Sequence, residues 1–185
     1  LSPEKVELRD QDPRPLKILD NGELAQILEK PDISKKDGIR DRAILETLFS
    51  TGLRVSELTS LNRNDINDIW INKYLSFRKD SFRPLFIRFQ GKVNPANDGE
   101  AMRLTPRSIE RVVEKYVKKI GLAVKATPHT LRHSFATDLL INGADIKSVQ
   151  EMLGHSSIQT TQIYTHVTNK HLKDVHKAFH SGNKN

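Results

Sequence analysis

Apolar residues recur at helical spacing along most of the chain. Leu24, Ile27 and Leu28 share one face of a short helix that Asp20 or Asn21 caps and Pro31 ends. Ile39, Ala43, Leu45, Leu48 and Phe49 form the broad face of a second helix over 39–49, which Thr51-Gly52 breaks before a short helix over 55–61. Residues 62–68 read as a polar turn, 70–77 as a helix, 84–89 as a short strand and 91–99 as a loop. Thr105-Pro106 opens a helix to Ile120, its apolar face being Ile109, Val112, Val113, Tyr116, Val117 and Ile120. Thr127-Pro128 repeats that start signal for a helix ending at Ile141 and closed by Gly143. Further helices are expected over 145–153, 158–164 and 172–179, so the fold is mainly α, with a minor β part and no internal repeat.

Composition narrows the class. The 185 residues suit one domain with a short tail, and 36% hydrophobic against 29% charged residues fits a folded core. No apolar run approaches the roughly 20 residues of a membrane span, and no apolar leader is visible, so a cytoplasmic protein without membrane contact is expected. With no cysteine, thiolate chemistry is excluded and a zinc site would need histidines and carboxylates alone. Lys and Arg total 30 against 23 Asp and Glu, a formal charge of +7 that favours a polyanion such as nucleic acid, although a solubilising surface would look the same.

Three segments carry candidate chemistry. In Pro128-His129-Thr130-Leu131-Arg132-His133, residues 129, 132 and 133 share the face of a helix's first turns, where free N–H groups and the helix dipole favour an anion. Arg132 can grip a phosphate through two parallel bonds, and an adjacent imidazole can move a proton. Leu131, Phe135 and Leu139 should face the core. His129 and His133 have the spacing of zinc ligands, but Thr130 stands where a zinc peptidase needs Glu, and an isolated HxxR is usually ordinary polar surface. In Thr51-Gly52-Leu53-Arg54-Val55-Ser56-Glu57-Leu58, the glycine allows a tight turn that projects Arg54, with Glu57 three residues on as an ion-pair partner. Alone, that pair reads as a weak surface bridge. The run from Leu153 through Gly154 and His155 to Tyr164 and His166 has the outline of a helix-turn-helix reader, and a lone tyrosine is usually a packing residue.

Together the three segments point further. Two arginines, two proton-transfer groups and a tyrosine are what metal-free phosphodiester cleavage requires. Arginines stabilise the charge on the non-bridging oxygens, histidine assists proton transfer, and the phenol attacks to give a covalent ester that conserves the bond energy for rejoining.

TGLRVSEL at 51–58, HTLRHSFATDLL at 129–140 and LGHSSIQTTQIYTH at 153–166, in this order, resemble the tyrosine recombinase, or phage integrase, family, and the last two are most similar to its Xer-type branch. The resemblance covers nearly the whole chain after about residue 16. It implies the tyrosine recombinase catalytic-domain fold, a helical bundle with a small antiparallel sheet. It implies Arg54, His129, Arg132 and His155 as catalytic residues, Tyr164 as the nucleophile forming a 3′-phosphotyrosine, and Glu57 and His133 as support. It further implies a site-specific recombinase with no metal or cofactor, double-stranded DNA as partner in the nucleoid, and a homotetramer that exchanges C-terminal helices through a Holliday junction. A non-catalytic DNA-binding protein and a type IB topoisomerase-like enzyme are the alternatives on the same fold.

Two features depart from the family. Its sheet, with a catalytic lysine on a hairpin, belongs after the first arginine motif, but only Asn67-Asp68-Ile69 separates the turn from the next helix, and three strands with turns need roughly 20 residues. Either the hairpin is lost or residues are omitted at 67–69, and the second is expected. No catalytic lysine is assigned: Lys92 follows the expected position, and Lys73 and Lys79 read as solvated charges. The family's N-terminal DNA-clamping domain is also missing, so 1–16 is expected to be the end of a linker, 17–168 the catalytic domain, and 169–185 a C-terminal helix and tail.

Overall fold

Five helices begin where a side chain takes up backbone N–H groups that the first turn leaves without partners. Asp20 accepts from Glu23 N at 2.7 Å while the Glu23 carboxylate accepts from Asp20 N at 3.1 Å, a reciprocal cap. Asp68, Thr105, Thr127 and Asp145 cap four more. A computed structural model describes residues 18–91, 97–122 and 125–154. Its helices are α1 (Asn21–Glu29), α2 (Lys36–Thr51), α3 (Val55–Ser60), α4 (Ile69–Phe77), α5 (Pro106–Lys119), α6 (Pro128–Ile141) and α7 (Ile146–Leu153), with a 3-10 turn at Glu100–Met102. The expected helices over 158–164 and 172–179 lie outside the described residues.

Helix α2 is the spine, packed on α1, α3, α4, α5 and α6, with Ile39, Ala43, Ile44, Leu45 and Leu48 fully enclosed. It starts a turn before Ile39 because Asp32, accepting from Ser34 N and Ser34 Oγ, turns the chain into helix through residues too polar to show apolar spacing. The main core joins α1 to α5 with Leu85, Phe86 and Leu131. A second cluster, Phe135, Ala136, Leu140, Val149 and Leu153, lies between α6 and α7. Phe49 of α2 joins the two, its ring edge-on to Phe135 at 6.3 Å. Among the described residues no helix is long and apolar enough to cross a membrane.

The strand expected over 84–89 does not form. Single antiparallel bridges, Asn62 to Pro84 and Ile87 to Arg103, replace it. Leu85 N donates to Leu61 O at 2.9 Å and Leu104 N to Phe86 O at 2.9 Å, so the segment is extended but paired only briefly on each side. Arginine side chains do the rest: Arg78 donates to the carbonyls of Pro84 and Leu85, and Arg103 to those of Thr59 and Leu61. An apolar, aromatic-rich run without a partner of matching length gives an extended segment rather than a ladder.

The polar turn expected over 62–68 forms. The chain passes from α3 to α4 without a break, through a turn closed by Asn62 N to Asp65 Oδ2 at 2.8 Å and by Asp65 N to Asn62 O at 3.1 Å. Asp68 then caps α4, accepting from Trp70 N at 2.8 Å, and Asn72 reaches back to Asn67. The polar turn residues read from the sequence are sufficient to make this connection.

Candidate functional site

The site is built where α2, α6 and α7 end or begin beside one another. Helix α2 stops at Gly52, whose left-handed backbone (φ 62°) lets its N–H reach Leu48 O. A Cβ there would lie 2.6 Å from the Phe135 ring and 2.8 Å from a Leu153 methyl, so helix end, α6 and α7 meet only because the residue is glycine. Two residues later Arg54 starts α3. Its backbone N donates to Glu57 Oε2 at 2.6 Å and its Nη1 to Glu57 Oε1 at 2.8 Å, which is the pairing expected from their spacing.

Helix α6 carries the second arginine. Ten of its fourteen residues are buried, including Arg132, His133, Ser134 and Thr137, so polar groups here are core rather than surface. Leu131 and Phe135 are buried as expected, and Leu139 is partly so. Arg132 donates through Nη1 to Gly52 O and through Nη2 to Leu153 O, each at 2.5 Å. Arg54 Nη2 donates to Gly154 O at 2.8 Å. Both guanidiniums are thus held by carbonyls at helix C-termini, where lone pairs are left over and the helix dipole favours a cation.

Glu57 lies 2.8 Å from Arg54 and 4.0 Å from Arg132. Partial desolvation raises its pKa, but the Arg54 backbone N–H and guanidinium outweigh this and hold the carboxyl below its ordinary range. The three groups sum to one positive charge, and Gly52 O, Leu153 O and Gly154 O hold the arginines as neutral acceptors. This arrangement attracts a phosphate while keeping both arginines in place.

His129, in the first turn of α6, is exposed, and His133 beneath it is buried, their rings edge-to-face at 4.2 Å. Burial against α6 and the nearby charge of Arg132 both push the His129 pKa below its ordinary value, so at neutral pH it is an uncharged acceptor. Beside it, between α5 and the start of α6, lies a cavity of about 680 Å³ lined by Val55, Arg107, Val117, Lys118, Lys125 and His129 among others.

The structure therefore brings together Arg54, Glu57 and Arg132, with His129 one turn from Arg132 and His133 alongside. His155 and Tyr164 lie outside the described residues, as does Lys92; Lys73 and Lys79 are exposed. The contribution of the Gly52, Leu153 and Gly154 carbonyls is not readable from residue type, since backbone acceptors carry no sequence signal. The glycines after α2 and α7 were the only hint.

The family model described as Phage integrase family matches residues 17–76 and 68–171. The chain is similar to tyrosine recombinase XerD of Staphylococcus haemolyticus (strain JCSC1435), 37% identical, with 88% of this chain and 62% of that protein covered. The chain thus spans about three-fifths of the length of the curated relatives it matches. That alignment runs over 193 positions, whereas 88% of 185 residues is about 163, so about 30 positions face no residue of this chain. The fold is similar to the crystal structure of XerA recombinase (TM-score 0.67, 30% identity, 90% of this chain and 66% of that one). It is also similar to XerH site-specific recombinase in a post-cleavage complex with palindromic difH substrate (TM-score 0.68, 25% identity, 90% and 54%).

Proposed function

The chain belongs to the phage integrase family, and on that premise we propose that it is the DNA-cleaving and rejoining part of a tyrosine site-specific recombinase. The observation that carries the reading is the convergence of Arg54 and Arg132 on the end of α7, one positive charge in excess after Glu57.

In this reading Arg54 and Arg132 hold the non-bridging oxygens of one phosphate, and His155 joins them. The phenol oxygen of Tyr164 forms a bond to phosphorus as the bond to the 5′ oxygen breaks. His129, uncharged at neutral pH, assists the proton transfers. The product is a 3′-phosphotyrosine and a free 5′-hydroxyl, and rejoining is the same step in reverse, with another strand's 5′-hydroxyl attacking. No metal or nucleotide is needed for bond energy to be conserved. The 5′ oxygen must also gain a proton, and no lysine is assigned to that task.

Double-stranded DNA in the nucleoid is the proposed partner, and XerH is one relative whose solved structure is bound to its DNA substrate. Assembly as a tetramer with exchange of the 169–185 segment between neighbours belongs to the same proposal, as does the division into a 1–16 linker and a 17–168 catalytic unit. The family match from residue 17 supports the first boundary.

The test uses a duplex nicked beside the cleavage site, so that the released fragment cannot be rejoined. Protein and Tyr164→Phe are compared on a denaturing gel with EDTA present. An adduct in the first and none in the second is expected. DNA binding without an adduct contradicts the catalytic reading and favours a non-catalytic DNA-binding protein.

A further inference from the structure

Helix α7 ends on two successive carbonyls that point at different arginines. Leu153 O accepts from Arg132 Nη2, 21 residues away in sequence, and Gly154 O accepts from Arg54 Nη2, 100 residues away. Successive carbonyls of a continuing helix point the same way along the axis. Here they diverge because Gly154 adopts a left-handed backbone (φ 61°, ψ 40°), with its N–H turned back onto Gln150 O and Glu151 O.

We propose that Gly154 is a positioning residue for the arginine pair, its left-handed turn setting Arg54 relative to Arg132 so that both meet one phosphate. This rests on the phosphodiester-cleavage reading. The role falls to the backbone, not to space: among the described residues a Cβ at 154 would meet nothing nearer than Arg54 Nη1 at 3.8 Å, an ordinary contact. Gly52 differs, because a Cβ there collides with Phe135 and Leu153. A residue that resists the left-handed region would swing the Gly154 carbonyl off Arg54, while the Leu153 carbonyl, still within the helix, stays on Arg132.

The choice of acceptor also has an electrostatic logic. A carbonyl fixes a guanidinium without cancelling its charge, whereas a second carboxylate beside Glu57 would leave the site neutral, without net attraction for phosphate. Carbonyls of Gly52, Leu153 and Gly154 anchor the two arginines.

The experiment compares the wild type with Gly154→Ala and Gly154→Asn, asparagine being the side chain that tolerates the left-handed region. Single-turnover adduct formation is measured on the nicked duplex, with either a phosphodiester or an uncharged methylphosphonate at the cleaved position. Gly154→Ala is expected to slow the phosphodiester reaction by about 10-fold or more at saturating DNA, as displacement of a positioned group does. Gly154→Asn is expected to recover most of that rate. The deficit of Gly154→Ala should shrink on the methylphosphonate, which has one less charge for the arginines to neutralise.

Equal deficits on both substrates, or Gly154→Asn as poor as Gly154→Ala, overturn the proposal and leave a merely structural glycine. A wild type that binds DNA but forms no adduct fails the cleavage reading itself. The positioning claim is then decided by guanidinium NMR. Faster rotation of the Arg54 guanidinium in Gly154→Ala than in wild type or Gly154→Asn supports it, and unchanged rotation overturns it.

Discussion

Arg54 and Arg132 anchor to adjacent peptide groups at the end of one helix, Arg54 to Gly154 O at 2.8 Å and Arg132 to Leu153 O at 2.5 Å. Their environments differ. Arg132 has a side-chain exposure of 5%, Arg54 of 46%. The first is a core residue that also faces the site; the second is a site residue only.

Equal losses of activity with unequal losses of stability follow from that contrast. Arg132→Ala leaves the carbonyls of Gly52 and Leu153 without their donor in a buried setting, a cost of about 1–3 kcal/mol. Arg54→Ala, at the solvent edge, should cost under about 1 kcal/mol. Chemical denaturation measures both, and adduct formation should be lost in each. Equal destabilisation contradicts the assignment of two environments.

Glu57 ties stability to acid pH. Its folded pKa lies below the 4.5 of the free side chain, held there by Arg54 against partial desolvation. The sign follows: the stabilisation is fully present above pH 4.5 and is lost as pH falls through the lower folded value. The advantage of wild type over Glu57→Gln in thermal midpoint should therefore hold from neutral pH down to about 4.5 and decline as pH falls further, through the lower folded value. A pH-independent difference would show that hydrogen bonding, not charge, is the link.

His129 should titrate below 6.5, because desolvation and then the Arg132 charge disfavour its protonated form. The unfolded chain binds this proton more readily, so the contribution to stability is complete above pH 6.5 and declines as pH falls. NMR titration of the His129 ring gives the midpoint directly, and the acid limb of the adduct rate should follow it. A midpoint at or above 6.5 contradicts the described environment.

Asp41, fully buried on α2, accepts from Arg40, from Lys115 Nζ at 2.9 Å and from Tyr116 OH at 2.9 Å, joining the spine to α5. Burial and the Asp41 charge push the Tyr116 phenol up to about 12. Asp41→Asn should destabilise by about 3 kcal/mol, the low end for breaking a buried pair because Lys115 can turn to water. Urea denaturation checks this, and retention of near-wild-type stability would show that the network contributes little.

Much of the helical framework was legible in the sequence. Thr105-Pro106 and Thr127-Pro128 opened α5 and α6 where expected, because cap and proline signals act within three residues. The pairing of Arg54 with Glu57 was legible for the same local reason. What the sequence hid is non-local. The carbonyl anchors lie up to 100 residues from their arginines, and the 84–89 run needed a partner strand that its neighbours are too short to supply. Burial of Arg132 and His133 was likewise invisible, since an HxxR pattern looks the same on a surface helix as on one enclosed by α2 and α7.

The most direct measurement is to map the covalent bond. Protein reacted with the nicked duplex is digested with nuclease and protease, and the nucleotide-bearing peptide is sequenced by mass spectrometry. The account predicts a single modified peptide with the nucleotide's 3′ phosphate on Tyr164, and a released strand whose 5′-hydroxyl a polynucleotide kinase can phosphorylate. Linkage through another residue, or through a 5′ phosphate, would contradict it.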